Sequence, residues 1–516
     1  MKNKLLFGLL ILVLVALPMF SFSACGPAPV TSFKVGFGGP PVATVDPCAF
    51  GSGIPQGVCE SLVSFDQNNK MVGLLADKWS LSTDGKTLEF KLKKGVKFNT
   101  GDPFTADDVV FSVARNKEKN MAVAAQLTQN YDSVEAVDDY TVRFHFPAAN
   151  VQFLGQTGAM MLITSKAYYD KVGEDAYLKA PAGTGRYKIT DWKEGQYVDI
   201  AYNENWRGTK PQIQNARFIA APDDSSRVAM LQAGEVDMIT QTPGTQIATL
   251  EKAGFKRVPV TQAHDIVLIF DLLSKDTPWS DVRVRQAISY AIDRNSLINT
   301  IFGGGAAEAV WLMPWELGYD SSLKPAYPYD LTKAKQLMKD AGYEKGFTMP
   351  VTYPTFMEWA VNLSDYLASA LKEINITIQL NGISGFPQFM GSIATIHNAY
   401  VKGEKTTPSV FLFDVGWPGN PDPTIDLTNG FDMRKDNTLY DNAELGALVA
   451  KALQTVDNSE RAKVVKQAYV IINNNLPDIP IVLEVATSFL KSNITYTPQT
   501  GGMTAGPMNL WELTVK

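Results

Sequence analysis

Short segments of the chain alternate apolar and polar positions with a period of two, the pattern of a half-buried strand. Phe33, Val35 and Phe37 form the first of them. In 86–97, Leu88, Phe90 and Leu92 point one way, and Glu89, Lys91 and Lys93 the other. Residues 141–146 alternate again, which sets His145 opposite Phe144 and Phe146. Between these stretches the period changes to that of a helix. Thr105 can cap it, Asp107 and Asp108 suit its positive end, and Val109, Val110, Val113 and Ala114 share its buried face.

From Ile266 strands and helices take turns. The pattern predicts strands at 266–270, 348–353, 374–380, 410–415 and 479–485. It predicts helices at 280–300, 331–341, 359–373, 387–396 and 460–473. Val284, Ala287, Ile288, Ala291 and Ile292 line one face of the first helix, and Gly303-Gly304-Gly305 stops it. Such alternation implies βαβ units on an open sheet, hence an α/β fold.

The first 25 residues follow another logic. Lys2 and Lys4 precede an apolar run, 5–20, and then Ser21-Phe22-Ser23-Ala24-Cys25. This is the layout of a secretory signal peptide, 1–24. Cys25 after two small residues also resembles a lipobox, which would make Cys25 the lipid attachment point and 25–32 a tether. The alternative is an ordinary signal peptide with an incidental cysteine. Either way the protein is expected outside the cytoplasm.

The chain has 516 residues and a net charge of −6, which becomes more negative once Lys2 and Lys4 are removed. Its length calls for two or three lobes. No basic run or aromatic-interleaved basic patch offers nucleic acid an electrostatic footing. Beyond Cys25 only Cys48 and Cys59 remain. In an oxidising compartment they could form a disulfide or stand as two buried thiols.

Several blocks, in order, carry a resemblance: Thr44-Val45-Asp46-Pro47, Glu60-Ser61-Leu62-Val63, Leu75-Ala76-Asp77-Lys78-Trp79, Gly95-Val96-Lys97-Phe98 and Phe104-Thr105-Ala106-Asp107-Asp108. Gly183-Thr184-Gly185-Arg186-Tyr187, Asn205-Trp206-Arg207-Gly208 and Leu231-Gln232-Ala233-Gly234-Glu235 follow, then Asp281-Val282-Arg283-Val284-Arg285 and Ala291-Ile292-Asp293-Arg294. Together they resemble the family 5 extracellular solute-binding proteins of ABC importers, of the peptide- and nickel-binding type. The resemblance implies a periplasmic-binding-protein-like type II fold of cluster C: two lobes, a hinge and an extra N-terminal subdomain. On this chain, 33–60, 181–262 and 486–516 would form lobe I, 61–180 the subdomain and 263–485 lobe II. It further implies a monomer that closes on a small or short oligomeric ligand and delivers it to an ABC permease and ATPase, with the lipobox at Cys25 supplying the membrane anchor. No cofactor is called for.

The resemblance puts the ligand near the strand-to-loop segment 413–423. There Gly416, Trp417, Pro418 and Gly419 present backbone groups and an aromatic face. Peptide binders of the family carry an acidic residue shortly after this Trp, to pair with the peptide's ammonium. Asn420 stands there instead, which shifts weight toward neutral ligands such as oligosaccharides. Asp422 or Asp271 could supply the missing charge, and Trp311 and Trp315 could wall the cleft. Trp279, Tyr353, Phe356 and Trp359 are further aromatic candidates, core packing being the alternative for each. Asp281, Arg283, Arg285, Asp293 and Arg294 read as surface or hinge ion pairs.

An exported hydrolase is the rival class. Gly382-Ile383-Ser384-Gly385-Phe386 lacks the nucleophile-elbow spacing. His145, His264 and His397 fall in no metal-binding pattern.

Overall fold

A computed structural model describes residues 32–38, 44–48, 57–119, 131–323, 327–415, 422–435, 437–501 and 509–516. The largest sheet runs in the order Ile376–Ile383, Phe347–Pro354, Val410–Val415, Lys256–Phe270, Asp478–Leu490, Met238–Ile239, Phe33–Phe37, Asn215–Ala220, Tyr197–Tyr202, Tyr187–Lys193. Phe347–Pro354 is parallel to both Ile376–Ile383 and Val410–Val415. Glu358–Lys372 and Phe386–Lys402 are the intervening helices, so this half is built of the expected βαβ units. The other half is organised around Phe33–Phe37, which lies parallel to Asn215–Ala220 and Met238–Ile239.

Two long strands tie the halves together. Lys256–Phe270 and Asp478–Leu490 pair antiparallel along nearly their full lengths, and each extends well beyond the segment its apolar pattern predicts. Their register shifts between Ile266 and Val267, a bulge that re-aims the following side chains.

A separate antiparallel sheet, ordered Ala76–Leu81, Thr87–Leu92, Thr141–His145, Ser133–Asp138, has its own core. Leu88, Phe90 and Leu92 are buried there beside Phe144, while His145 turns outward to Glu135, as the alternation requires. The helix Ala106–Lys119 packs on it. Asp108 closes its first turn by accepting from the N–H of Thr105 at 2.9 Å.

The single helix expected over 280–300 is two, Val282–Ala291 and Arg294–Thr300. Asp281 caps the first by accepting from Arg283 N–H at 2.8 Å. Asp293 starts the second, accepting from Ser296 N–H at 3.0 Å, while Ile292 is extended. Arg283 and Asp281 form the expected exposed ion pair. Arg285 and Arg294 do not: both are buried and donate to backbone carbonyls, Arg285 to Leu476 at 2.8 Å and Arg294 to Pro480 at 2.9 Å. They fasten the start of Asp478–Leu490 from behind.

Cys48 and Cys59 are free, buried thiols, so the disulfide alternative is not realised. Cys48 Sγ is engaged elsewhere, accepting from Arg115 Nη1 at 2.8 Å.

Candidate ligand-binding site

A cavity of about 460 Å³ opens on the face of the long strands and spans the bulge. Its floor follows the period of two: Asp265, Val267 and Ile269 of Lys256–Phe270 all line it. Each has a neighbour across the sheet that lines it too. Val415 and Leu483 pair with Asp265, Phe413 and Pro480 with Val267, and Asp478 with Ile269. Met390 and Ile393 of Phe386–Lys402 form one wall, and Asp426 and Phe431 of Thr424–Phe431 another. Trp311, Met313 and Glu316 come from the loop after Ala306–Glu308.

The lining is apolar and aromatic with one consistent charge. Asp265, Glu316, Asp414, Asp426 and Asp478 line the cavity, and no Lys, Arg or His does so among the described residues. Burial pushes the Asp265 carboxyl up to about 8; the Asp426 charge adds to this, and a bond from Val310 N–H offsets part of it. Burial likewise raises Glu316 well above the ordinary carboxylate range, although Met313 N–H donates to it at 2.5 Å. Asp478 is pushed up to about 7 by burial, with the Arg285 charge pulling the other way. The common cause is removal of carboxylates from water. Asp265 Oδ1 is shut off from solvent without a hydrogen-bond partner. Tyr469 stands within the field of Asp426, Glu316, Asp265 and Asp478.

The structure brings some of the expected site residues to this cavity and places others away from it. Trp311 lines it and is held by an indole N–H bond to Asn473 Oδ1 at 2.9 Å. Trp315 is 41% exposed and borders both this cavity and a second one of about 850 Å³ lined by Phe65, Trp79 and Arg461. Asp422 lines only the second. It is committed to Thr424, whose N–H donates at 3.1 Å, and to Arg461 at 2.8 Å.

Asp271 is a correction: it is fully buried behind the floor, and its Oδ1 accepts from the N–H groups of Leu273 and Ser274 at 3.1 Å. Its role is to make a turn, because it follows the last floor strand rather than facing the cavity. Trp279 is core, and Tyr353 and Trp359 pack against the same core. Gly416, Trp417, Pro418, Gly419 and Asn420 lie outside the described residues, as does Cys25.

The acids at 265, 316, 426 and 478 were missed from sequence. A signal existed for two of them. Asp265 and Asp478 each head a run of buried apolar residues, where a charge calls for a reason. Glu316 and Asp426 stand in a loop and a half-polar helix and give no such sign.

Residues 70–438 match the family described as bacterial extracellular solute-binding proteins, family 5 Middle. The chain belongs to that family. It is a solute-binding protein rather than an enzyme and acts outside the cytoplasm. A curated relative, the glutathione-binding protein GsiB of Escherichia coli O1:K1 / APEC, is 28% identical over 478 residues, covering 89% of this chain and 91% of its own. The fold matches NikA from Brucella suis, solved with Fe(III)-EDTA, at a TM-score of 0.80 and 20% identity, over 94% of this chain and 100% of that one. It also matches DppA from Helicobacter pylori, solved with the peptide STSA, at 0.75 and 22%, over 94% and 98%. Among the described residues no helix is long and apolar enough to cross a membrane, and no group of three His, Cys, Asp or Glu is arranged to hold a metal ion.

Proposed function

We propose that this protein is the capture component of an ABC importer. It holds a short peptide, or a polar oligomer of similar size, in the cavity on the long strands, closes over it, and presents the closed state to a membrane permease with its ATPase. The observation that carries this reading is the cavity floor. Lys256–Phe270 and Asp478–Leu490 run on from the cavity into the half of the sheet built on Phe33–Phe37. A ligand seated there touches the elements that join the two halves, and a ligand favouring one arrangement of them shifts the population toward it. A cavity of this size suits a ligand of two or three residues.

In this reading 33–60, 181–262 and 486–516 move as lobe I and 263–485 as lobe II, with 61–180 riding on lobe I. Residues 1–24 are a signal peptide, Cys25 carries lipid, 25–32 is the tether and the protein works as a monomer.

The test is a thermal-shift panel on residues 26–516 with di- to hexapeptides and oligosaccharides, since a ligand of the folded state raises the melting temperature by mass action. Stabilisation by peptides is expected; stabilisation by sugars alone would move the protein to carbohydrate uptake. Cys25→Ala should release the full-length protein from the membrane fraction, and retention there would refute the lipid anchor.

A further inference from the structure

We propose that the cavity selects an organic cation bearing at least two ammonium or guanidinium groups, held by Asp265 with Glu316 and Asp426 at one end and by Asp478 at the other. This rests on the reading of the cavity as the ligand site and names the chemistry of its occupant.

Charge is the first argument. The lining contributes carboxylates and, among the described residues, no cationic side chain. A buried carboxylate without a counter-charge costs folding free energy that a protein recovers only when something positive arrives. Asp265 shows this locally: it faces the cavity, and its Oδ1 is removed from water with nothing to accept from. Val310 N–H offsets only part of the cost of burying this carboxylate.

Spacing is the second argument. Asp265, Glu316 and Asp426 all line the cavity, where the Asp426 charge bears on Asp265 and the Asp426 and Asp265 charges bear on Glu316. Asp478 answers to Arg285 instead and stands beside Ile269, four residues further along the floor strand from Asp265. At about 3.4 Å per residue Asp265 and the Ile269–Asp478 pair are roughly 14 Å apart along the strand. Val267, Ile269, Phe413 and Pro480 pave the stretch between them with apolar surface. A cation at each end of a flexible, largely apolar body meets this layout. A single α-ammonium satisfies only one end, and a ligand with net negative charge, such as glutathione, meets repulsion at both.

The mature chain is titrated calorimetrically with Lys-Ala-Lys, spermidine, Ala-Ala-Ala, Glu-Ala-Glu and glutathione. At least tenfold tighter binding of Lys-Ala-Lys or spermidine than of the other three is expected; which of the two binds tells a peptide from an oligoamine source. Asp265→Asn and Glu316→Gln should each weaken that binding about tenfold while the far-UV spectrum and melting temperature hold or improve. Asp478→Asn should reduce binding of the two-charge probe to the level of a singly charged one. Equal or tighter binding of Ala-Ala-Ala or Glu-Ala-Glu, or full affinity in both the Asp265 and Glu316 variants, overturns the inference while leaving a ligand-binding protein. Binding of no probe of any charge, with peptides and sugars of the wider panel equally silent, overturns the cavity reading itself.

Discussion

Arg115 and Asp46 meet in a two-pronged buried ion pair, Nη1 donating to Oδ1 at 2.6 Å and Nη2 to Oδ2 at 2.8 Å. Both residues are nearly closed to solvent, and the guanidinium lies 4.7 Å from the centre of the Tyr177 ring. The pair pins the helix Ala106–Lys119 to the segment that follows Phe33–Phe37. Asp46→Ala strands the arginine in the interior. Glu174, at 3.7 Å and partly exposed, is a weak substitute. A loss of about 3–5 kcal/mol is expected in urea unfolding. A loss under about 1 kcal/mol would mean that water reaches Arg115 readily.

The thiol of Cys48 is next to that pair. Burial, with the Asp46 charge adding, pushes it up to about 12, and burial pushes Cys59 further. Neither holds thiolate at neutral pH, so residues 26–516 should resist a thiol reagent when folded and titrate both cysteines once denatured. Absence of thiol in the denatured, unreduced protein would mean that the two had oxidised to a disulfide.

The cavity acids link stability to pH in a stated direction. Asp265, up to about 8, and Asp478, up to about 7, exceed the unfolded carboxylate value of about 3.9. As pH rises, the unfolded chain gives up these protons first, so their contribution to stability declines from about pH 4 to about pH 8. Asp265→Asn should therefore melt higher than the parent at pH 8.5, by roughly 2 °C or more, with the gap closing toward pH 4. A gap that is constant with pH would show that Asp265 is ionised throughout.

Gly303 packs against Gly244 so closely that a Cβ would lie 1.9 Å from the Gly244 carbonyl oxygen, and its φ of +54° already disfavours any other residue. The contact joins the turn Gly244–Gln246 to the loop before the strand Ala306–Glu308. Gly303→Ala combines a backbone clash with a left-handed penalty and should cost more than about 2 kcal/mol, read from the urea midpoint. Gly304→Ala serves as the comparison: it shares the positive φ but meets nothing within 4 Å, so it should cost about 1 kcal/mol.

Much of the fold was open to reading because its causes are local. The alternation at Leu88, Phe90 and Leu92 becomes a strand with those three side chains buried, and Asp281 and Arg283 form the ion pair their charges suggest. The helix expected over 280–300 breaks because Asp293, which reads as one more polar face residue, is a second cap. Arg285 and Arg294 look like surface charges in one dimension. The chain that returns nearly 190 residues later supplies carbonyls that both of them hold, at Leu476 and Pro480.

The candidate site was legible in part. Trp311 reaches the cavity, whereas Asp271 is buried away from it, with its Oδ1 accepting from two local N–H groups. The acids that define the cavity's field are scattered at 265, 316, 414, 426 and 478.

By itself the sequence determined the α/β alternation and the ordered family motifs, since each is written in neighbouring residues. The tertiary structure decided which charges share a space. Periodicity reports only which face of an element is buried, while an electrostatic field sums over groups brought together by strand order and register, distances that no local pattern contains.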